Sequence, residues 1–282
     1  MVENVVKFPG LGLSFNINRV AIPKSIIGID IYWYAVIITL GIVLAYLYCI
    51  RRGSKEGIDK EIFTDILLWG IPSAIIGARL YYVIFRWQNY VNNPMKIFAL
   101  RDGGLAIYGA IIFSVVTVFI YLKSKKISPY KIFDICVIGL LIGQATGRWG
   151  NFFNQEAFGS NTTLKWGMIS EETISYLSSL KLKGYDVDPL MPVHPTFLYE
   201  SFWNIIGIII LHNYSKKKKF DSEIFILYII WYGLGRVFIE GLRTDSLYFF
   251  NIRVSQLVGL ISIIAGVIFY IIMYKKRVKN EK

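Results

Sequence analysis

Histidine and cysteine are scarce in this chain of 282 residues, with two of each, and only 18% of its residues are charged. Cys49 and Cys136 lack CxxC spacing and both fall inside long apolar runs. They exclude a disulfide framework and read as inert packing residues. His194 has no second His or Cys on its side of the chain's topology, so no metal site is expected, and no cofactor either. The first ~25 residues lack a basic stretch followed by an apolar core and a small-residue cleavage site, so no removable signal peptide is expected. No internal repeat marks the inverted halves of a secondary transporter.

What the chain has in abundance is apolar surface: 55% hydrophobic and 16% aromatic residues, with a mean hydropathy of +0.49. This composition excludes a soluble globule and indicates a polytopic membrane protein. Apolar runs at roughly 31–50, 62–85, 104–122, 132–147, 196–213, 223–241 and 254–274 are each near the ~20 residues that a helix needs to cross ~30 Å of hydrocarbon. The expected fold is an all-α polytopic membrane protein with seven transmembrane helices. It forms a single membrane-embedded domain over 1–282, with a small extracytoplasmic head in the one long connection, about 149–195.

Short loops rich in Lys and Arg stay cytoplasmic. The basic clusters fall on alternate loops: Arg51, Arg52, Lys55 and Lys60; Lys123, Lys125, Lys126 and Lys131; Lys216 to Lys219; and Lys275, Lys276, Arg277, Lys279 and Lys282. The amino terminus is therefore expected outside and the carboxyl terminus in the cytoplasm. The net charge of +12 is accounted for by these loops and by anionic lipid headgroups, so no nucleic-acid partner is expected. Within the head, Ser170 before Glu171 and Glu172 can cap a helix that Gly184 stops, and Thr162 to Met168 is expected as a short strand.

On this topology the unusual polar residues share the outward side: Tyr34, Arg79, Asp102-Gly103-Gly104, Arg148 with Asn151, His194-Pro195-Thr196 with Tyr199-Glu200, and Arg236, Glu240 and Arg243. Alternatives exist for several of them. Tyr34, Trp33, Trp149 and Trp231 suit an aromatic belt, and Arg236 with Glu240, four apart, can form an internal ion pair. Small residues at 103, 104, 106, 109 and 110 permit either close helix packing or approach of backbone N–H groups to an anion. Ionisable groups within a membrane cost about 2.5–3.5 kcal/mol each on insertion scales, so a cluster of them points to function. Glu240 alone cannot neutralise three arginines, and a phosphate suits the guanidinium fork.

The densest polar segment, Gly147 to Gly159, fits the pattern G-R-x-G-N-F-x-N-x-E-x-x-G at every fixed position. With Tyr32-Trp33-Tyr34, Gly77-Ala78-Arg79-Leu80, the Gly-Gly-Leu helix start, His194-Pro195-Thr196 and Gly235-Arg236 through Glu240 and Arg243, the chain resembles bacterial prolipoprotein diacylglyceryl transferases over essentially its whole length. The resemblance implies a seven-helix protein of the cytoplasmic (inner) membrane. It would move the diacylglyceryl group of phosphatidylglycerol to the lipobox cysteine of prolipoprotein signal peptides, leaving glycerol 1-phosphate. Its partners would be that lipid, the signal peptides and the surrounding membrane lipid.

In this reading Arg148 and Arg236 hold the phosphate, and Arg79 and Arg243 are further substrate-binding residues. Asn151, Asn154 and Tyr34 orient the headgroup, and Glu156 and Glu240 position the arginines. Gly103 and Gly104 admit close approach, and Gly159 shapes the loop. The acceptor thiol, with an ordinary pKa near ~8.5, must lose its proton. The family commonly carries a histidine where this chain has Tyr108, and a phenol of pKa near ~10 is a poor base at neutral pH. Either Tyr108 only hydrogen-bonds the substrate, or His194 or another group takes the proton. Two rivals from other classes stand beside the enzyme: an anion transporter, which predicts polar residues continuing toward the cytoplasmic side, and a catalytically silent lipid-binding protein, which predicts binding without product.

Overall fold

The structure, a computed structural model, describes residues 5–100, 103–244, 246, 248–250 and 252–280. Asp102 and Lys282 lie outside the described residues. Short strands and one helical turn come first: β1 (Val5–Phe8), β2 (Leu13–Asn16), β3 (Val20–Ile22), α1 (Lys24–Ile27) and β4 (Ile31–Tyr32). Next come α2 (Trp33–Lys55), α3 (Lys60–Phe85), α4 (Ile107–Ser124), α5 (Pro129–Asn154), α6 (Glu171–Leu182), α7 (Thr196–Ser215) and α8 (Glu223–Glu240). The chain closes with β5 (Tyr248–Phe249), β6 (Ile252–Arg253) and α9 (Val254–Asn280). Three antiparallel hairpins, β1–β2, β3–β4 and β5–β6, are the sheets among the described residues.

By length and composition five helices can cross a membrane: α2, α3, α4, α5 and α9. The long helices α7 and α8 are absent from that set. They carry Glu200, Asn204 and Asn213, and Glu223, Arg236 and Glu240, respectively.

Packing divides the chain into two compact units, residues 46–135 and residues 1–45 with 136–282. In the first, α3 lies along α4 with glycine against glycine. A Cβ on Gly109 would stand 2.2 Å from the Gly77 carbonyl oxygen, and one on Gly77 would stand 2.4 Å from the Phe113 side chain. Close packing thus accounts for the small residue at 109. The expected helix start at Gly103-Gly104 is corrected. Both residues have left-handed dihedrals, φ +79° and +72°, which a right-handed helix does not allow, and α4 begins at Ile107.

In the second unit the first half of α2 packs on α5 along a row of small residues. Gly41 meets Gly143 and Thr146, Gly147 meets Ile38, and Gly150 lies under the Tyr34 ring. Those contacts keep the polar end of α5 helical to Asn154, seven residues beyond the apolar run ending at 147. The segment 147–154 is therefore a helix end, and its glycines at 147 and 150 serve α2.

Between α7 and α8, Trp203 and Trp231 stack at 4.2 Å. Each indole N–H donates to the other's backbone carbonyl, at 3.1 and 3.2 Å. Gly207 and Gly235 make room for the two rings. Trp231 is thus a clamp between helices. Past the ends of these helices Val6, Phe8, Ile17, Phe158, Met168, Leu177, Val193 and Phe197 form a buried apolar cluster. It fixes α6 and the hairpin β1–β2 to the end of α5 and the start of α7. Ser170 caps α6 through a capping box with Thr173, and Gly184 follows its end with φ +85°. Residues 162–167 form no strand. Asn161 and Met168 make isolated bridges to Val193, because Gly167 bonds back to Leu164 in a turn.

The α3–α4 contact leaves no room for a methyl group. Gly109→Ala should destabilise the protein by on the order of 1–3 kcal/mol, seen as a lower thermal midpoint in detergent. An unchanged midpoint would show that the two helices can part freely.

Candidate active site

Glu200 lies one turn into α7, is 9% exposed, and draws guanidiniums from three separate elements. Arg148 of α5 pairs with its Oε2 through Nη2. Arg243, just past α8, donates Nη1–H to its Oε1 at 3.3 Å. Arg236 of α8 holds Nη1 at 3.9 Å from Oε2 and donates the same group to Glu240 at 3.1 Å. Arg236 also donates Nε–H to the Tyr232 hydroxyl at 3.1 Å. The Glu240 side chain accepts from the Ser246 hydroxyl at 2.9 Å, and its backbone carbonyl accepts from Arg253 at 2.6 Å.

The order of exposure matters for chemistry. The Arg148 and Arg236 side chains are 21% and 23% exposed, against 11% for Glu200 and 5% for Glu240. The carboxylates stand behind and the guanidiniums in front. An approaching group meets N–H donors and positive charge in a partly dehydrated setting, where charge-assisted hydrogen bonds are strongest.

Along α5, Arg148 and Asn151 are three apart and so follow one face. The side-chain amides of Asn151 and Asn154 both donate to Glu156 Oε1, at 3.0 and 3.2 Å. The expectation that Glu156 positions the arginines is corrected: its contacts run to the asparagines, and Glu200 and Glu240 hold the arginines. Gly159 is packed where three segments meet. Its N–H donates to the His194 carbonyl at 2.8 Å, it bridges to Arg243, and a Cβ there would stand 2.7 Å from the His194 Cβ and 2.8 Å from the Leu242 carbonyl oxygen. Tyr34 lies with its ring against Gly150.

His194 places Nδ1 3.1 Å from the Tyr199 hydroxyl, which also accepts from the Trp166 indole at 2.9 Å. Burial pushes the His194 imidazole below its ordinary value, favouring the neutral ring at neutral pH. Its backbone joins the site through Gly159, although its side-chain contacts run to Tyr199.

In the unit 46–135, Arg79 is 6% exposed and directs its donors at backbone carbonyls. It reaches Ile97 at 2.8 Å, Gly103 at 2.7 Å, Gly104 at 3.1 Å, Ala99 at 3.3 Å and also Lys96. The glycines present carbonyls to Arg79, and a Cβ on Gly104 would stand 2.6 Å from its Nη1. This network shapes the segment leading to Tyr108, which is 40% exposed with its ring 6.5 Å from Tyr81.

Sequence reasoning missed the hub role of Glu200 and the parts of Tyr232, Ser246 and Arg253. The available signal for Glu200 was an acid in the first turns of a largely apolar helix, four residues after Thr196. No spacing rule links it to arginines on other helices.

Comparison with known proteins adds a separate line of evidence. Residues 22–272 match the family model described as prolipoprotein diacylglyceryl transferase. Three similar proteins are each named phosphatidylglycerol–prolipoprotein diacylglyceryl transferase. The one from Enterococcus faecalis (strain ATCC 700802 / V583) is 44% identical over 273 residues, 94% of this chain and 93% of its own. That from Finegoldia magna (strain ATCC 29328 / DSM 20472 / WAL 2508) is 44% identical over 266 residues, 94% and 99% of the two chains. That from Listeria monocytogenes serotype 4b (strain CLIP80459) is 43% identical over 256 residues, 89% and 88%.

Removing the central carboxylate should set the guanidiniums against one another. Glu200→Gln is expected to lower the thermal midpoint, a loss on the order of 3 kcal/mol, and inorganic phosphate should restore part of it. A midpoint equal to wild type would show that Glu200 does not hold the group together.

Proposed function

The chain belongs to the prolipoprotein diacylglyceryl transferase family, and on that premise we propose that its arginine group is the site where phosphatidylglycerol gives up its diacylglyceryl group. The enzyme transfers that group to a prolipoprotein, the first step of lipoprotein maturation. In the finer reading the acceptor is the lipobox cysteine thiol, whose sulfur attacks the glycerol carbon bearing the phosphate. A C–S bond forms, the C–O bond breaks, and glycerol 1-phosphate leaves with the bonding electron pair. No cofactor is needed for this displacement.

The observation that carries the assignment is the arrangement around Glu200, in which Arg148 and Arg236 stand forward of the carboxylates. Guanidiniums so placed can take two phosphate oxygens and stabilise the charge that grows as the C–O bond breaks. Arg243 and Glu240 keep the pair in register. Asn151 and Asn154, held by Glu156, and Tyr34 orient the headgroup, while Gly159 lets His194 and Arg243 approach one another. Within the unit 46–135, Arg79, Gly103 and Gly104 shape the segment that leads to Tyr108, whose phenol is a hydrogen-bond donor. His194, neutral at pH 7, takes the thiol proton.

The proposed setting is the bacterial cytoplasmic membrane. Seven spans place the amino terminus and a head of about 149–195 outside, and the carboxyl terminus in the cytoplasm. Seven helices of 18 to 27 residues support this count. So does the pairing of the polar residues in α7 and α8: Glu200 and Arg236 in the arginine group, and Glu223 with the hydroxyls of Tyr214 at 2.7 Å and Tyr270 at 3.2 Å. Paired polar groups are what a span can accommodate.

Purified protein incubated with phosphatidylglycerol and a lipobox peptide should add a diacylglyceryl mass to the peptide cysteine. No added mass sinks the reading. Arg148→Lys should lower kcat/KM by about 100-fold, through loss of paired contact to the leaving phosphate; wild-type kinetics would remove Arg148 from the site. Because burial depresses the His194 pKa, activity should hold above about 6.5 and fall as pH drops through the lowered value. That acid limb should vanish in His194→Gln, and its persistence there would assign the proton to another group.

A further inference from the structure

Beside the arginine group lies a cavity of about 310 Å³ with Arg19, Gln155, Glu156, Glu172, Tyr176 and Thr244 in its wall. It is bounded by the turn after α5, by α6, by the segment between β2 and β3, and by the residues after α8. Gln155 is 2% exposed, yet its Nε2 has no hydrogen-bond partner, and neither does the buried Nε of Arg19. Buried amide groups almost always find a partner, and leaving one unmatched costs about 1–3 kcal/mol.

The charge around the cavity decides what kind of acceptor it takes. Arg19 is already paired with Glu172 at 2.5 Å, and Glu156 adds a second carboxylate. Two carboxylates against one guanidinium disfavour a phosphate or a carboxylate ligand. They admit a neutral carbonyl oxygen. Such oxygens come from lipid esters or from a peptide backbone. The wall contains the polar α6 and connecting segments, with no long stretch of apolar helix to cover acyl chains, which favours a peptide.

Its place in the chain sets it next to the arginine group. Gln155 directly follows the end of α5 at Asn154, with φ +55°, and stands seven residues after Arg148 in sequence. On the other side Thr244 directly follows Arg243. We infer that this cavity binds the acceptor polypeptide by a backbone carbonyl beyond its cysteine, on the side that becomes the mature protein. This rests on the proposed reaction and outward topology. The enzyme then reads the chain beyond the cysteine as well as the cysteine itself.

The test compares two lipobox peptides, one ending as an amide at the cysteine and one carrying four further residues, with phosphatidylglycerol as donor. In the wild-type enzyme the longer peptide should have a KM about three- to tenfold lower, the range of one or two hydrogen bonds. Gln155→Leu should abolish that difference while leaving the KM for phosphatidylglycerol unchanged. Gln155→Glu, which keeps the shape but removes the N–H donors, should do the same. Equal KM values for the two peptides with wild-type enzyme overturn the proposal without any variant. A rise in the lipid KM alone assigns the cavity to an ester carbonyl and overturns it too, as does a variant that retains the full length dependence. Failure of wild-type enzyme to modify either peptide would count against the transferase reading itself.

Discussion

The site depends on one carboxylate. Glu200 is the point at which α5, α8 and the segment after α8 are brought together, because each supplies a guanidinium to it. An unpaired acid in this position would be costly to bury, and so would three adjacent guanidiniums. Together they make a group that is stable at low exposure and still presents positive charge outward. The same arrangement that permits burial is the basis of the proposed phosphate site.

Close helix packing makes this convergence possible. Glycine rows let α2 rest on α5 and α3 on α4, and the reciprocal indole bonds of Trp203 and Trp231 fix α8 against α7. Association of helices in lipid relies on such contacts and on hydrogen bonds between them, since apolar side chains gain little by leaving a hydrocarbon solvent. Several glycines of the signature segment therefore serve the scaffold. Gly150 accommodates Tyr34 and Gly159 admits His194 and Leu242, while the asparagines of the same segment bond to Glu156 and its arginine to Glu200.

Much of the site was legible as residue types. Arg148, Arg236, Glu240 and Arg243 were singled out because ionisable groups in apolar runs need a reason, and the structure gathers them. The contacts of Glu156 and Arg79 are ones that their residue types do not disclose. Glu156 holds Asn151 and Asn154, and Arg79 fastens backbone carbonyls of the segment before α4. Carbonyl oxygens leave no mark in a sequence, so a buried arginine serving them looks the same as one awaiting an anion.

By itself the sequence determined the class of protein, the approximate position of every long helix and the family signature. These follow from hydropathy and local spacing, which act within a few turns of one chain. Only the tertiary structure decided that the polar end of α5 stays helical, that α4 begins at Ile107 and that Glu200 is the hub. Glu200 is 52 residues from Arg148 and 43 from Arg243. No helical period spans such separations; the packing of small residues and paired indoles between helices closes them.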